Sequence, residues 1–209
     1  MNTERAKTRG VWQIGPKAAK YRTIRWAGKL LYVLPRLNQN DCVLLIVDVQ
    51  TRLLPEMWEA ERVERNIRML ASMARRLGIP IVVSEQNPEK LGTTVASIRE
   101  AIGPFDPAAK MRFSAWEAVK DQIDRPQILL CGLESHICVS QTALDALDDG
   151  KTVFAIYDAI SSRQSPNRSV GWERMKGAGA LPSSTEAALY ELLGEAGTDD
   201  FRAMLALVK

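Results

Sequence analysis

Three residues, far apart in the chain, have types and settings suited to acyl transfer: Cys138, Asp48 and Lys110. The run Gln127 to Cys131 reads as a buried strand broken by Gly132. Ser135 reads as a helix N-cap, Ile137 to Leu147 carries helical periodicity, and Gly150 ends the helix. Cys138 therefore falls in the first turn of a helix, just past the carboxyl end of a strand. Unpaired N–H groups and the helix dipole favour a thiolate there, which makes the cysteine a candidate nucleophile. The plain alternative is a small buried hydrophobe, as most free cysteines are. A nucleophilic thiol needs a base. The single histidine, His136, lies two residues away, and residues two apart do not face each other on a helix. His136 is thus expected to line the pocket or cap the helix. A carboxylate from another strand end, Asp48, can take the proton, and Lys110 can stabilise the thiolate by its charge. Alone, Asp48 reads equally as a loop cap and Lys110 as a solvated lysine; only their convergence makes a site.

The elements that must bring them together alternate. Six consecutive apolar residues, Cys42 to Val47, precede Asp48 and read as a strand buried on both faces. A helix is expected over 58–77, a strand over 79–83, and a short helix over 95–101. A short strand over 110–113 and a helix over 114–119 follow. After strand 127–131 and helix 136–149 come strand 151–157, helix 166–178, strand 180–183 and helices over 184–193 and 199–208. Such alternation with short turns predicts an α/β fold of three α/β/α layers, a doubly wound, mostly parallel sheet. In these sheets sites form beyond the carboxyl ends of the strands, which selects Asp48, Gln50, Glu85, Gln86, Lys110, Cys138 and Asp158.

A chain of 209 residues that is 46% hydrophobic suits one domain with a full core. Three cysteines, with no apolar signal segment, point to free thiols in a reducing, cytoplasmic setting. Residues 1–40 hold nine of the 28 Lys/Arg and one of the 25 acidic residues, so they carry +8 and leave the rest at −5, with +3 overall. The body thus lacks a nucleic-acid footprint, and no run is long enough for a membrane span. The basic extension, 1–40, is expected to be poorly ordered and dispensable to the fold. A disordered arm, an organellar transit peptide and an over-long gene start remain open readings of it. No G-x-G-x-x-G follows the first strand and there is no P-loop, and one histidine is too few for a catalytic metal cluster; neither cofactor nor metal is expected.

The stretches LLIVDVQTRLLP (44–55), VVSEQNPEKLGTT (82–94), AKMRFSAW (109–116), LLCGLESHICVSQTALDAL (129–147) and DAISSR (158–163) resemble the isochorismatase-like cysteine hydrolases, nearest the isochorismatase-domain-containing proteins. The resemblance spans most of 41–209 and implies the isochorismatase-like, Rossmann-like fold, with Asp48, Lys110 and Cys138 as catalytic triad. It also implies a cis peptide at Leu133–Glu134 and an oxyanion hole from the backbone N–H groups of Glu134 and Cys138. Gln50, Leu53, Gln86, Phe113 and His136 are expected to line the substrate pocket. The histidines that hold a metal in nicotinamidases of the family have no counterpart in SEQNPEKLG (84–92). The expected function is hydrolysis of a carbon–nitrogen, amide-like bond of a small molecule through a Cys thioester. A non-catalytic binding protein and a redox sensor are the rivals. Relatives commonly form homo-oligomers, and the apolar terminal helix 199–208 points the same way, to a dimer or larger.

Overall fold

The structure, a computed structural model, describes residues 22–26 and 29–208, with backbone alone before Leu34. The expectations for residues 1–21 lie outside the described residues. Two compact units divide between Pro35 and Arg36. In the first, β1 (Arg22–Trp26) and β2 (Lys29–Val33) pair antiparallel, Arg22 opposite Val33. No strand was expected in this basic stretch. The second unit starts before the expected boundary at 40, because Arg36 to Gln39 are tied to the body. The Gln127 amide donates to Arg36 O at 2.9 Å, the Gln39 amide donates to Leu77 O at 2.7 Å, and Leu37 is buried.

The body then runs β3 (Cys42–Val47), α1 (Ala60–Arg76), β4 (Ile81–Gln86), α2 (Pro88–Leu91), α3 (Ala96–Ile102), β5 (Ala108–Lys110) and α4 (Trp116–Val119). It continues with β6 (Gln127–Leu133), α5 (Ser140–Asp148), β7 (Thr152–Ser161), α6 (Ser165–Gly177), β8 (Leu181–Ser183), α7 (Thr185–Leu193) and α8 (Asp199–Val208). The six body strands form one sheet in the order β5-β4-β3-β6-β7-β8, every pair parallel. All six residues of β3 are buried, as a central strand covered on both faces requires. On one face β3, β6 and β7 pack Val43, Leu45, Ile128, Leu130 and Val153 against Trp116 of α4, Ala143 and Leu147 of α5 and Met175 of α6. The opposite face carries α1, whose Val63, Ile67, Leu70 and Met73 make an apolar stripe at helical spacing. This is the three-layer α/β/α arrangement.

Three departures bear on the site. The third strand, β5, ends at Lys110 rather than starting there, so the lysine sits at a strand end like its prospective partners. β7 runs on to Ser161, which leaves Asp158 within the strand. Residues 135–139 form a π-turn, not the first turn of an α-helix; Val139 N–H reaches back five residues to Glu134 O at 3.3 Å. Ser135 does not cap it: the hydroxyl donates to Arg168 O of α6 at 3.1 Å.

Candidate active site

Four neighbouring strand ends, those of β5, β4, β3 and β6, line up along one edge of the sheet and deliver Lys110, Gln86, Asp48 and the 134–139 turn. Close approach of β3 and β6 is permitted by Gly132. A Cβ there would lie 2.2 Å from Val47 O, and its φ of 137° is one that few L side chains adopt. Immediately beyond each of these strands the chain turns through a left-handed residue, Asp48 (φ 56°) after β3 and Glu134 (φ 57°) after β6. Left-handed non-glycine residues cost on the order of 1 kcal/mol or more and are held by their surroundings, often at functional sites.

Asp48 is fully buried and both of its carboxylate oxygens are engaged. Ser84 Oγ donates to Oδ1 at 2.8 Å and Lys110 Nζ donates to Oδ2 at 2.7 Å. Lys110 is buried too, and its Nζ also donates to Gln86 Oε1 at 2.7 Å, Phe113 O at 3.0 Å and Arg112 O at 3.2 Å. Cys138 is 6% exposed, and its thiol feels the charges of both Asp48 and Lys110. Its thiol is pushed up to about 12, first by burial and then by the charge of Asp48. Lys110 opposes this, while the Asp48 hydrogen bond and Glu134 add to it. The expectation of a resting thiolate is therefore corrected. Burial and a nearby carboxylate outweigh the one lysine, and the widened turn at 135–139 is not the regular helix start from which the dipole argument began.

The remaining expected residues separate by role. Gln50 is fully buried and both ends of its amide meet main chain: Nε2 donates to Gly92 O at 2.6 Å and Gln86 O at 3.0 Å, and Oε1 accepts from Gln86 N at 2.8 Å. Gln86 spends its own Nε2 on Met111 O at 3.0 Å. Leu53 is half-buried, in the turn that follows Gln50. Phe113 is 57% exposed and offers its carbonyl, not its ring, to Lys110. His136 is partly buried, its Nδ1 3.0 Å from Ser162 Oγ and 3.4 Å from Glu134 Oε2. Glu85 and Asp158 stand apart from the cluster. Glu85 Oε1 accepts from Thr94 N and Oγ1 at 2.6 and 2.7 Å, and Asp158 Oδ1 accepts from Thr185 N and Oγ1 at 2.8 and 2.9 Å. The peptide Leu133–Glu134 is trans, since no cis bond occurs among the described residues; the reversal is made by the left-handed Glu134 instead.

Ser84, Arg163 and Thr142 did not stand out in the sequence. Ser84, the first polar residue of β4's apolar run, carried a legible signal. Arg163 Nε pairs with Glu134 Oε1 at 2.7 Å. Thr142 Oγ1 donates to Cys138 O at 2.7 Å while accepting from Ala115 N at 2.8 Å, and so joins the nucleophile turn to the segment after Lys110. A hollow of about 510 Å³, lined in part by Asn87, Lys90 and Met111, reaches Lys110 from the β4–β5 side.

This buried Asp–Lys pair beside a cysteine accompanies a family match. An Isochorismatase domain covers residues 42–187. The chain belongs to the isochorismatase family. It is 36% identical over 180 residues to Isochorismatase domain-containing protein 2 of Bos taurus, covering 84% of this chain and 87% of that one. It is 35% identical over 188 residues to the secreted isochorismatase effector Isc1 of Phytophthora sojae, covering 84% and 88%. Among solved structures, the MAR1 ribonuclease of Caenorhabditis elegans matches with a TM-score of 0.79 at 30% identity, over 83% of this chain and 92% of that chain. The YcaC gene product of Escherichia coli, described as an octameric hydrolase of unknown specificity, matches with a TM-score of 0.73 at 25% identity, over 83% and 87%. Family membership supports a hydrolase-type function. Among the described residues, no helix is long and apolar enough to cross a membrane.

Proposed function

We propose that the chain is a cysteine hydrolase that cleaves an amide-like carbon–nitrogen bond of a small molecule. The observation that carries this reading is the buried Lys110–Asp48 ion pair, whose two charges both act on the buried Cys138 thiol. A thiol held protonated by burial needs a base in contact, and Asp48 is that base. Cys138 Sγ attacks the carbonyl carbon as its proton passes to Asp48. The backbone N–H groups of Glu134 and Cys138 receive the oxyanion. The tetrahedral adduct collapses, the C–N bond breaks, and Asp48 returns the proton to the leaving amine. Water, deprotonated by Asp48, then cleaves the thioester to give the acid and the free thiol. Lys110, surrounded by four protein oxygens, holds Asp48 and offsets its charge throughout.

The redox-sensing reading is disfavoured by the raised thiol and by Cys131, which is fully buried with its Sγ against Leu45 O at 3.7 Å and so is poorly placed to resolve a Cys138 sulfenic acid. A homo-oligomer is proposed on the strength of the octameric relative and of exposed apolar side chains such as Met111 and Val170. Three free cysteines favour a reducing compartment. The test is incubation with a panel of small amides, with mass spectrometry of Cys138 adducts trapped by acid quench. An acyl adduct on Cys138 that turns over and is absent in Cys138→Ser supports the reading. Amide hydrolysis that persists in Cys138→Ser overturns it.

A further inference from the structure

On the reading of Cys138 as nucleophile, we infer that Gln86 is a positioning residue: it fixes the Lys110 ammonium beside Asp48 and Cys138. A lysine ammonium has three N–H groups. Here it faces four oxygens, and the two nearest, both at 2.7 Å, are Asp48 Oδ2 and Gln86 Oε1. Among the described residues, Gln86 is thus the only side chain besides Asp48 that holds the ammonium, the other two oxygens being the carbonyls of Arg112 and Phe113.

The orientation of this amide is itself determined. Its Nε2 donates to Met111 O at 3.0 Å, so a flip would set NH2 against ammonium and carbonyl against carbonyl. Its backbone is clamped by Gln50, which accepts from Gln86 N and donates to Gln86 O, and which also donates to Gly92 O across the loop. Three successive carbonyls, of Met111, Arg112 and Phe113, are turned inward onto the Gln86–Lys110 pair. Their side chains face out, with Met111 72% and Phe113 57% exposed. Each end of Gln86 thus has a protein partner, Met111 O for the amide nitrogen and the Lys110 ammonium for the oxygen. Neutrality matters as much as reach. A carboxylate at this position would add a second negative charge around the ammonium and oppose the Cys138 thiolate further, whereas an amide oxygen holds Lys110 without cancelling its charge.

The charge that Cys138 senses is read by the ratio of its alkylation rates with anionic iodoacetate and neutral iodoacetamide, in the full chain, by mass spectrometry of the Cys138 peptide. The ratio cancels the thiolate fraction and most of the effect of access. In Lys110→Met the ratio falls several-fold. In Gln86→Met, which keeps length and loses both polar ends, it falls similarly. Gln86→Asn, an amide one methylene too short to reach Nζ, also lowers it and decides the matter if the Met variant does not fold. A Gln86 that serves only the fold lowers the thermal midpoint and leaves the ratio unchanged. If Lys110→Met lowers the ratio and the Gln86 variants do not, the positioning role is overturned while the reading of Cys138 stands. If Lys110→Met leaves it unchanged, Lys110 and Cys138 do not share a site, and the proposed function falls with this inference.

Discussion

Ser84 Oγ donates to Asp48 Oδ1 at 2.8 Å, while the backbone N–H of Asp48 donates to Ser84 O at 3.1 Å. The two residues lie on adjacent strands, so the sheet ladder itself aims the carboxylate, and only its second oxygen is left for Lys110. Replacing Asp48 by Asn tests this arrangement. Asn can keep its oxygen on Lys110 because the Ser84 hydroxyl can turn and accept. Stability falls by about 3 kcal/mol, since a buried ammonium loses its counter-charge. Asp48 raises the Cys138 thiol by both charge and hydrogen bond, so Asp48→Asn alkylates faster with iodoacetamide at pH 8 even as amide turnover is lost. Slower alkylation would contradict the geometry.

Alkaline stability carries a signature of the same thiol. Burial and the Asp48 carboxylate push the Cys138 thiol up to about 12 in the folded protein, against an ordinary 9.0. Its folded value is raised, so the stability linked to its proton is complete below pH 9 and is lost as pH rises towards 12. The loss is about 1.4 kcal/mol per pH unit inside that window. Cys42, pushed up to about 11 by burial, contributes in the same sense. The thermal midpoint of Cys138→Ser, measured from pH 8 to 10.5, should fall less steeply than that of the unmodified chain. Parallel slopes would show that this thiol is not buried as described.

Gly171 on α6 is a packing requirement. A Cβ at this position would lie 2.4 Å from the Ser135 carbonyl carbon and 2.5 Å from His136 N, both main-chain atoms that cannot swing aside. In an exposed helix interior Gly→Ala gains about 1 kcal/mol. Here overpacking wins, and Gly171→Ala should cost about 2 kcal/mol or more and loosen the nucleophile turn. A raised thermal midpoint would refute the contact.

Thr142 joins two arms of the site through one hydroxyl. Thr142→Val keeps the shape, leaves Ala115 N–H without its hydroxyl acceptor and removes one donor from Cys138 O, at a cost of about 2 kcal/mol. Thr142→Ser retains the hydroxyl and should recover most of that loss. Equal midpoints for the Val and Ser variants would rule the bridge out.

The sheet was legible because burial on both faces leaves an unmistakable local mark, as in the six apolar residues of β3. Asp48 was legible as the first polar residue beyond that run. Lys110 was found through its small neighbours, although its strand was expected to follow it rather than end on it. The state of Cys138 was not legible. Local spacing predicts a helix start and a thiolate, whereas the π-turn and the burial that raises the thiol depend on packing against other parts of the fold, including α6 at Gly171. Gln50 and Gln86 look like pocket residues at strand ends, and only the three-dimensional hydrogen-bond chain shows which protein groups their amides hold.

The two outermost strands, β5 and β8, are three residues long, and Pro182 occupies the middle of β8. An open sheet is a standing invitation for another chain to add a strand, and short margins with a residue that lacks an N–H withhold that invitation. An assembly of copies of this chain would therefore use side chains on helices and loops rather than a continued ladder. High local concentration, as on expression or in an assembly, accordingly carries little risk of edge-to-edge polymerisation of the folded body.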